Sequence, residues 1–197
     1  MQRILFVAIL LLSLMVCLTS PAWAGGVDDV NAGVTAFQEQ NYDEAIRLYT
    51  KAIASDEFSQ EQLSEAYVFR CLAWEMKGDY DKAIVDCTKA IEINPQYAEA
   101  YGSRGLAWHG KGDYDKAIAD YTKAIKINPK YANVYYYRGD AWYDKGDYDK
   151  AIADYTKAIE IDPKYVIAYK NRGLAWDKEG DDVKAKADYA KAQELKD

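Results

Sequence analysis

The sequence predicts an all-α protein built as tandem antiparallel helix hairpins, and three observations predict it. First, "AEAYGSRGLAWHGKGDYDKAIADYTKAIKINPKY" (residues 98–131) aligns without a gap on "ANVYYYRGDAWYDKGDYDKAIADYTKAIEIDPKY" (132–165), a period of 34 residues. A fixed period between about 20 and 50 residues marks a stacked array rather than one globular core. Second, apolar residues recur within each unit at spacings of three and four, the helical period. Third, glycine and proline stand at corresponding places in successive units, where helices are expected to end.

The frame divides residues 25–197 into about five repeats, at 26–63, 64–97, 98–131, 132–165 and 166–197. The first is looser and carries four extra residues near Phe58. In the third repeat Tyr101, Arg104, Gly105 and Trp108 share one helical stripe, and Tyr114, Ala117, Ile118, Tyr121 and Ala124 share another. Between them, Gly112 suits a left-handed helix end and Asp113 suits an N-cap. Gly78-Asp79, Gly146-Asp147 and Gly180-Asp181 repeat the device. The second helix of each hairpin is expected to stop at Asn94, Asn128 and Asp162, because proline disfavours the helical conformation in the residue before it.

Residues 1–24 read as a secretory signal peptide: a positive start at Arg3, an apolar run from Ile4 to Val16, and Ala22-Trp23-Ala24 as a cleavage site. The apolar run is shorter than the roughly 20 residues a spanning helix needs, and Pro21 follows it. Val16 before Cys17 fits a lipoprotein signal poorly. The expectation is cleavage after Ala24 into an exported chain, periplasmic or secreted, without stable membrane insertion. The sequence holds 25 Lys and Arg against 32 Asp and Glu, a net charge of −7, and loss of Arg3 makes it more acidic. Nucleic acid and anionic membranes are poor partners for such a chain, since a basic patch supplies most of the affinity for either.

The residues Tyr101, Arg104, Gly105, Trp108, Ala117, Tyr121 and Pro129 fall on the pattern W-x2-L-G-x2-Y, A-x3-F, P, so the sequence resembles the tetratricopeptide repeat family. The resemblance extends over residues 26–197. It implies a TPR-like α-solenoid, a right-handed superhelix of about five repeats in which the first helix of each hairpin lines a concave groove that binds protein segments. It implies no enzymatic chemistry and no cofactor.

Departures from the pattern carry further expectations. Arg70, Arg104, Arg138 and Arg172 replace the family's leucine, and Asp86, Asp120, Asp154 and Asp188 stand in the second helices of the same units. Arginine and aspartate lie about equally far from the turn between them, so four pairs are expected across the hairpins. An arginine ladder for an anionic ligand would not need a matching aspartate each time. Cys71 stands where other units have glycine, and Cys87 where they have tyrosine. Two expectations stay open there, a disulfide suited to an oxidising compartment and a pair of buried thiols. In the last unit Asp182, Lys186 and Gln193 replace the tyrosine and isoleucines of earlier units, as a terminal cap facing water would.

Catalytic and metal readings find little support. His109 is the only histidine, so no histidine-based metal cluster or Ser-His-Asp arrangement can be assembled. The acidic string "DKGDYDK" does not fit the spacing of a twelve-residue calcium loop. By resemblance, the groove would be lined by Leu72, Leu106, His109, Tyr136, Tyr137, Asp140, Tyr143, Lys170 and Leu174. Exposed tyrosines there would offer a rigid contact surface with a polar tip. The expected function is an exported scaffold or adaptor binding a protein or peptide segment, with a small-molecule or glycan binder as the alternative. Arg138-Gly139-Asp140 resembles an adhesion tripeptide, but its place in the repeat predicts mid-helix rather than an exposed loop.

Overall fold

The computed structural model describes residues 26–55 and 58–196, and the expected signal peptide lies outside them. The described residues fall into two compact units, divided between Lys111 and Gly112. The described residues of the first form α1 (Gly26–Gln38), α2 (Tyr42–Ile53), α3 (Gln60–Met76), α4 (Tyr80–Ile93) and α5 (Ala98–Gly110). The second holds α6 (Tyr114–Ile127), α7 (Ala132–Asp144), α8 (Tyr148–Ile161), α9 (Val166–Glu179) and α10 (Asp182–Glu194). Among the described residues every regular element is a helix.

Turn chemistry sets these boundaries. Gly78, Gly112, Gly146 and Gly180 have φ of +79°, +80°, +81° and +80°, left-handed values that glycine adopts without a Cβ penalty. The following aspartates Asp79, Asp113, Asp147 and Asp181 accept hydrogen bonds from the backbone N–H three residues on, at Lys82, Lys116, Lys150 and Lys184. The first hairpin makes the same turn with Gln40 at φ +62° and Asn41 as the cap. Ser59 and Gln62 close a reciprocal capping box that starts α3. At the far end of each hairpin, Asn94, Asn128 and Asp162 accept from the N–H two residues on, beyond the proline, and so continue the turn.

In the first unit α1 packs on α2 and α3 on α4, with α2 also against α3 and α4 against α5. Its core includes Phe37, Tyr49, Val68, Phe69 and Leu72, with Tyr49 stacked on Phe69 at 5.6 Å between ring centroids. In the second unit α7 packs on α8 and α9 on α10, with α6 against α7 and α8 against α9. Val134, Tyr137, Tyr155 and a row of alanines fill its interior. Burying each large apolar side chain contributes about 1.5–3 kcal/mol, and the small alanines let neighbouring helices approach.

Candidate protein-interaction site

A repeated polar frame fixes the hairpins. Arg70 donates from Nε and Nη2 to both carboxylate oxygens of Asp86, each at 2.7 Å. Arg138 holds Asp154 at 2.8 and 2.7 Å, and Arg172 holds Asp188 at 2.8 and 2.7 Å, in the same two-pronged geometry. Arg104 and Asp120 carry the same residue types at the corresponding places of the third repeat. These aspartates are buried and the arginines mostly so. Hydrogen bonds to Asp86 hold the Arg70 pKa above its usual value.

Sequence spacing does not reveal the threonines of this frame. Each arginine sends its remaining Nη1 to a threonine of the preceding hairpin: Arg70 to Thr50, Arg104 to Thr88, Arg138 to Thr122 and Arg172 to Thr156, at 3.0 to 3.1 Å. One guanidinium therefore clips its own hairpin and ties it to the one before. The recurring Tyr-Thr-Lys and Cys-Thr-Lys strings are the available signal. Each guanidinium also lies 5.6–5.7 Å from the ring centre of the tyrosine three residues earlier, Tyr67, Tyr101, Tyr135 or Tyr169.

Small-against-large contacts complete the frame. A Cβ on Gly139 would lie 2.7 Å from the Tyr155 ring, and one on Gly173 2.6 Å from the Tyr189 ring, so only glycine fits. In the second hairpin, where cysteines stand at both places, Cys71 and Cys87 form a disulfide with Cα atoms 5.6 Å apart. The bond is fully buried, with Ala83, Ala107, Trp74 and Ile84 around it.

Against this constant frame, the inner stripe varies from hairpin to hairpin, although Leu72, Leu106 and Leu174 share one of its positions. Along α3 and α5, Leu72 and Leu106 are 1 % exposed, which corrects the expectation that they line an open groove. They are too well packed to meet a ligand directly. His109 is half-buried. Glu65 on α3 is half-buried, and burial, followed by repulsion from Glu61 and Glu99, pushes its pKa up to about 7.

The fourth hairpin corrects a second expectation. Tyr136 and Tyr137 are 5 % and 6 % exposed, so they are core residues rather than an exposed tyrosine surface. Tyr136 packs against Tyr137, Tyr155 and Tyr165 at 5.2, 5.9 and 5.3 Å between ring centres. Where sister units have leucine, Asp140 brings a carboxylate into this aromatic cluster, and polar partners gather around it. The Tyr155 hydroxyl donates to Asp140 at 2.7 Å. Asn171 Nδ2 donates to Asp140 and to the Tyr136 hydroxyl, both at 3.0 Å. Burial raises the pKa values of Tyr136, Tyr155 and Tyr165, and the Asp140 charge raises them further. The Arg138-Gly139-Asp140 string lies inside α7, its arginine and glycine turned to α8. Of the expected stripe in this unit, Tyr143 is half-buried against Tyr148, while Lys170 and Leu174 are exposed.

Elsewhere, a pocket of about 460 Å³ opens at the turn of the second hairpin, lined by Trp74, Lys77, Asp79, Tyr80, Lys82 and Lys111 among others. Its three lysines pair with Asp43, Asp79 and Asp81, so its charges are already neutralised. Among the described residues no group of three or more His, Cys, Asp or Glu is placed to hold a metal. None of the described helices is long and apolar enough to cross a membrane.

Comparison with known proteins agrees with this architecture. Family models described as tetratricopeptide repeat match residues 30–58, 64–97, 98–131 and 120–153, and one described as TPR repeat matches 139–180. The fold is similar to a crystal structure of MamA, with TM-score 0.72 and 30% identity over 83% of this chain and 94% of that one. It is also similar to a thermophilic TPR protein of Thermus thermophilus, with TM-score 0.71 and 22% identity over 87% of this chain and 91% of the other. A stretch of 68 residues, 34% of this chain, is 37% identical to the human mitochondrial import receptor subunit TOM70. That match spans 11% of the receptor's length.

Proposed function

Because the chain belongs to the tetratricopeptide repeat family, we propose that it is an exported interaction scaffold whose inner stripe binds a segment of a partner protein. One observation carries the reading: a constant frame presents an inner stripe whose composition varies from hairpin to hairpin. The arginines, aspartates, threonines and turn glycines recur from hairpin to hairpin, yet corresponding inner positions hold Val68, Gly102, Tyr136 and Lys170. One turn on they hold Leu72, Leu106, Asp140 and Leu174, and further on Glu75, His109, Tyr143 and Asp177. Of these, Val68, Leu72, Glu75, Leu106 and Tyr136 are buried. In the second unit the accessible part of the stripe is Tyr143, Lys170, Leu174 and Asp177, a varied set that suits a polypeptide of irregular side chains. A repeating glycan would be met by repeating contacts, and of the tyrosines that such a binder would use Tyr136 and Tyr137 are buried. The buried carboxylates Asp86, Asp154 and Asp188 are held by arginine and serve the hairpins rather than a reaction.

Export follows from the signal-like residues 1–24 and accords with a disulfide in the second hairpin. The test places a photo-crosslinking residue at Tyr143 and, as a control, at the exposed Val85 of α4, in the protein expressed in its own envelope. A defined protein crosslinked from position 143 and absent from position 85 is the expected result. Identical captures from both positions, or none from 143, would remove the reading. N-terminal sequencing of the mature chain is expected to begin at Gly25.

A further inference from the structure

In the second unit the exposed arc of α9 is set by what the rest of that helix holds. Asn171 points to α7, where it reaches Tyr136 and Asp140. Arg172 and Gly173 point to α10, against Asp188 and Tyr189, and Trp176 lies under the Lys184 ammonium of α10. With 100° per residue, the arc left between those two sides carries Lys170, Leu174 and Lys178, at spacings of four. All three are exposed, Leu174 at 39 %, although its counterparts Leu72 and Leu106 are 1 % exposed. Neither lysine has an ion-pair partner among the described residues, in common with Lys126, Lys130, Lys164 and Lys186 of the same unit, while Lys145, Lys150, Lys157, Lys184 and Lys191 are paired. What sets Lys170 and Lys178 apart is that they flank the exposed Leu174 on one face.

The lysines are eight residues apart, about 12 Å along the helix at 1.5 Å per residue. An extended chain covers that distance in about four residues, and its side chains at i, i+2 and i+4 lie on one face. Resting on the reading of the inner stripe as a protein-binding surface, we propose that the Lys170–Leu174–Lys178 face of α9 docks an extended acidic segment of the form acid-x-apolar-x-acid. Its two carboxylates meet the ammonium groups and its central apolar side chain covers Leu174. Charge also fixes the lane. Asp177, engaged by the Tyr189 hydroxyl at 2.5 Å, borders the face on the α10 side, and Asp144 stands exposed on α7. An acidic chain is repelled from both edges and runs along α9 rather than across the hairpins. The positive stripe is local in an otherwise acidic protein, so a basic segment finds no complement here.

The test uses the full disulfide-bonded chain and a fluorescein-labelled Gly-Glu-Ser-Leu-Ser-Glu-Gly peptide with an amidated C-terminus, so that only side-chain carboxylates are read. Fluorescence anisotropy is expected to show saturable binding that weakens with added salt. In the Lys170→Glu/Lys178→Glu variant, with its helical circular dichroism unchanged, affinity is expected to fall about tenfold or more, as two lost ion pairs and two new repulsions imply. The mirror peptide, with lysine for each glutamate, is expected to prefer that variant. Equal affinity of wild type and variant for the acidic peptide, or equal binding of both peptides to the wild type, would overturn the proposal. Absence of any saturable binding would also overturn it. Each of those results leaves the groove reading standing if position 143 still captures its protein, and both fall if it does not.

Discussion

Replacing Asp154 by alanine tests how much the two-pronged arginine clamp contributes to its hairpin. In the native chain Arg138 donates to Asp154 at 2.8 and 2.7 Å, with the arginine side chain 19% and the aspartate 8% exposed. Removing one partner of a well-buried ion pair costs about 3–5 kcal/mol, because the other charge is left without compensation. Here the guanidinium keeps its bond to Thr122 and its contact with Tyr135, and a fifth of it already meets water. The expected cost is therefore nearer to about 2 kcal/mol, the scale of hydrogen bonds to a charged group. The pair Arg138→Met/Asp154→Leu removes both charges while keeping bulk, and is expected to lie within about 1 kcal/mol of wild type. Urea unfolding followed by tryptophan fluorescence gives the ordering. Hydrogen exchange in α7 and α8 localises the loss, which matters because repeat arrays need not unfold as one unit. If Asp154→Ala alone cost less than about 0.5 kcal/mol, or if the double substitution cost more than either single one, the clamp would not be what fixes the hairpin.

Other consequences are separately measurable. Cys71→Ser/Cys87→Ser is expected to lower unfolding free energy by about 3 kcal/mol, the loop-closure value for a separation of 16 residues, and hydrogen exchange is expected to rise mainly in α3 and α4. Gln40→Gly relieves a left-handed side-chain residue where sister turns use glycine, and is expected to stabilise by about 0.5–1 kcal/mol in thermal unfolding. Glu65 has a folded pKa raised from 4.5 to about 7, so the folded state binds the extra proton and stability falls as pH rises across that window. Because the group is half-exposed and screened, the loss is discounted to about 1 kcal/mol. Glu65→Gln is expected to be more stable than wild type at pH 8 and to match it at pH 4, and identical pH profiles would show that the carboxyl is not destabilised.

The frame is legible because each repeat restates it. Gly112-Asp113 and Asn128-Pro129 announce their turns through backbone chemistry that depends on two adjacent residues. Arg138 and Asp154 can be paired because they lie at equal distance from a turn. The threonine contacts escape such reasoning, since Thr122 reaches an arginine in the next hairpin and symmetry about one turn says nothing of that neighbour. Tyr136 and Tyr137 are misplaced by it for a related reason. Their counterparts in the third hairpin, Gly102 and Ser103, are small, and only the apolar and buried Val68 and Phe69 of the second signal that large side chains at these places fold into the interior. Asp140 and Asn171 supply the hydrogen bonds that let tyrosine hydroxyls remain there, and only the three-dimensional arrangement joins residues 31 positions apart. Lys170 and Leu174 fall on the stripe by spacing, but their significance depends on which neighbours are exposed and which lysines are already paired.

The central claim is that the exposed part of the inner stripe, carried on a repeating frame, is the binding surface. Its α9 face is tested most directly by titrating the amidated acidic peptide into ¹⁵N-labelled protein and following backbone amide shifts, while capture from position 143 tests the rest of the stripe. The account predicts saturable shifts concentrated in α9 between Lys170 and Lys178, with smaller changes at Tyr143 and Asp144 and none in α4 around Val85. Shifts centred on the buried Tyr136–Tyr155 cluster, or on the exposed side of α8 and α10 at Ala153 and Lys186, would contradict it.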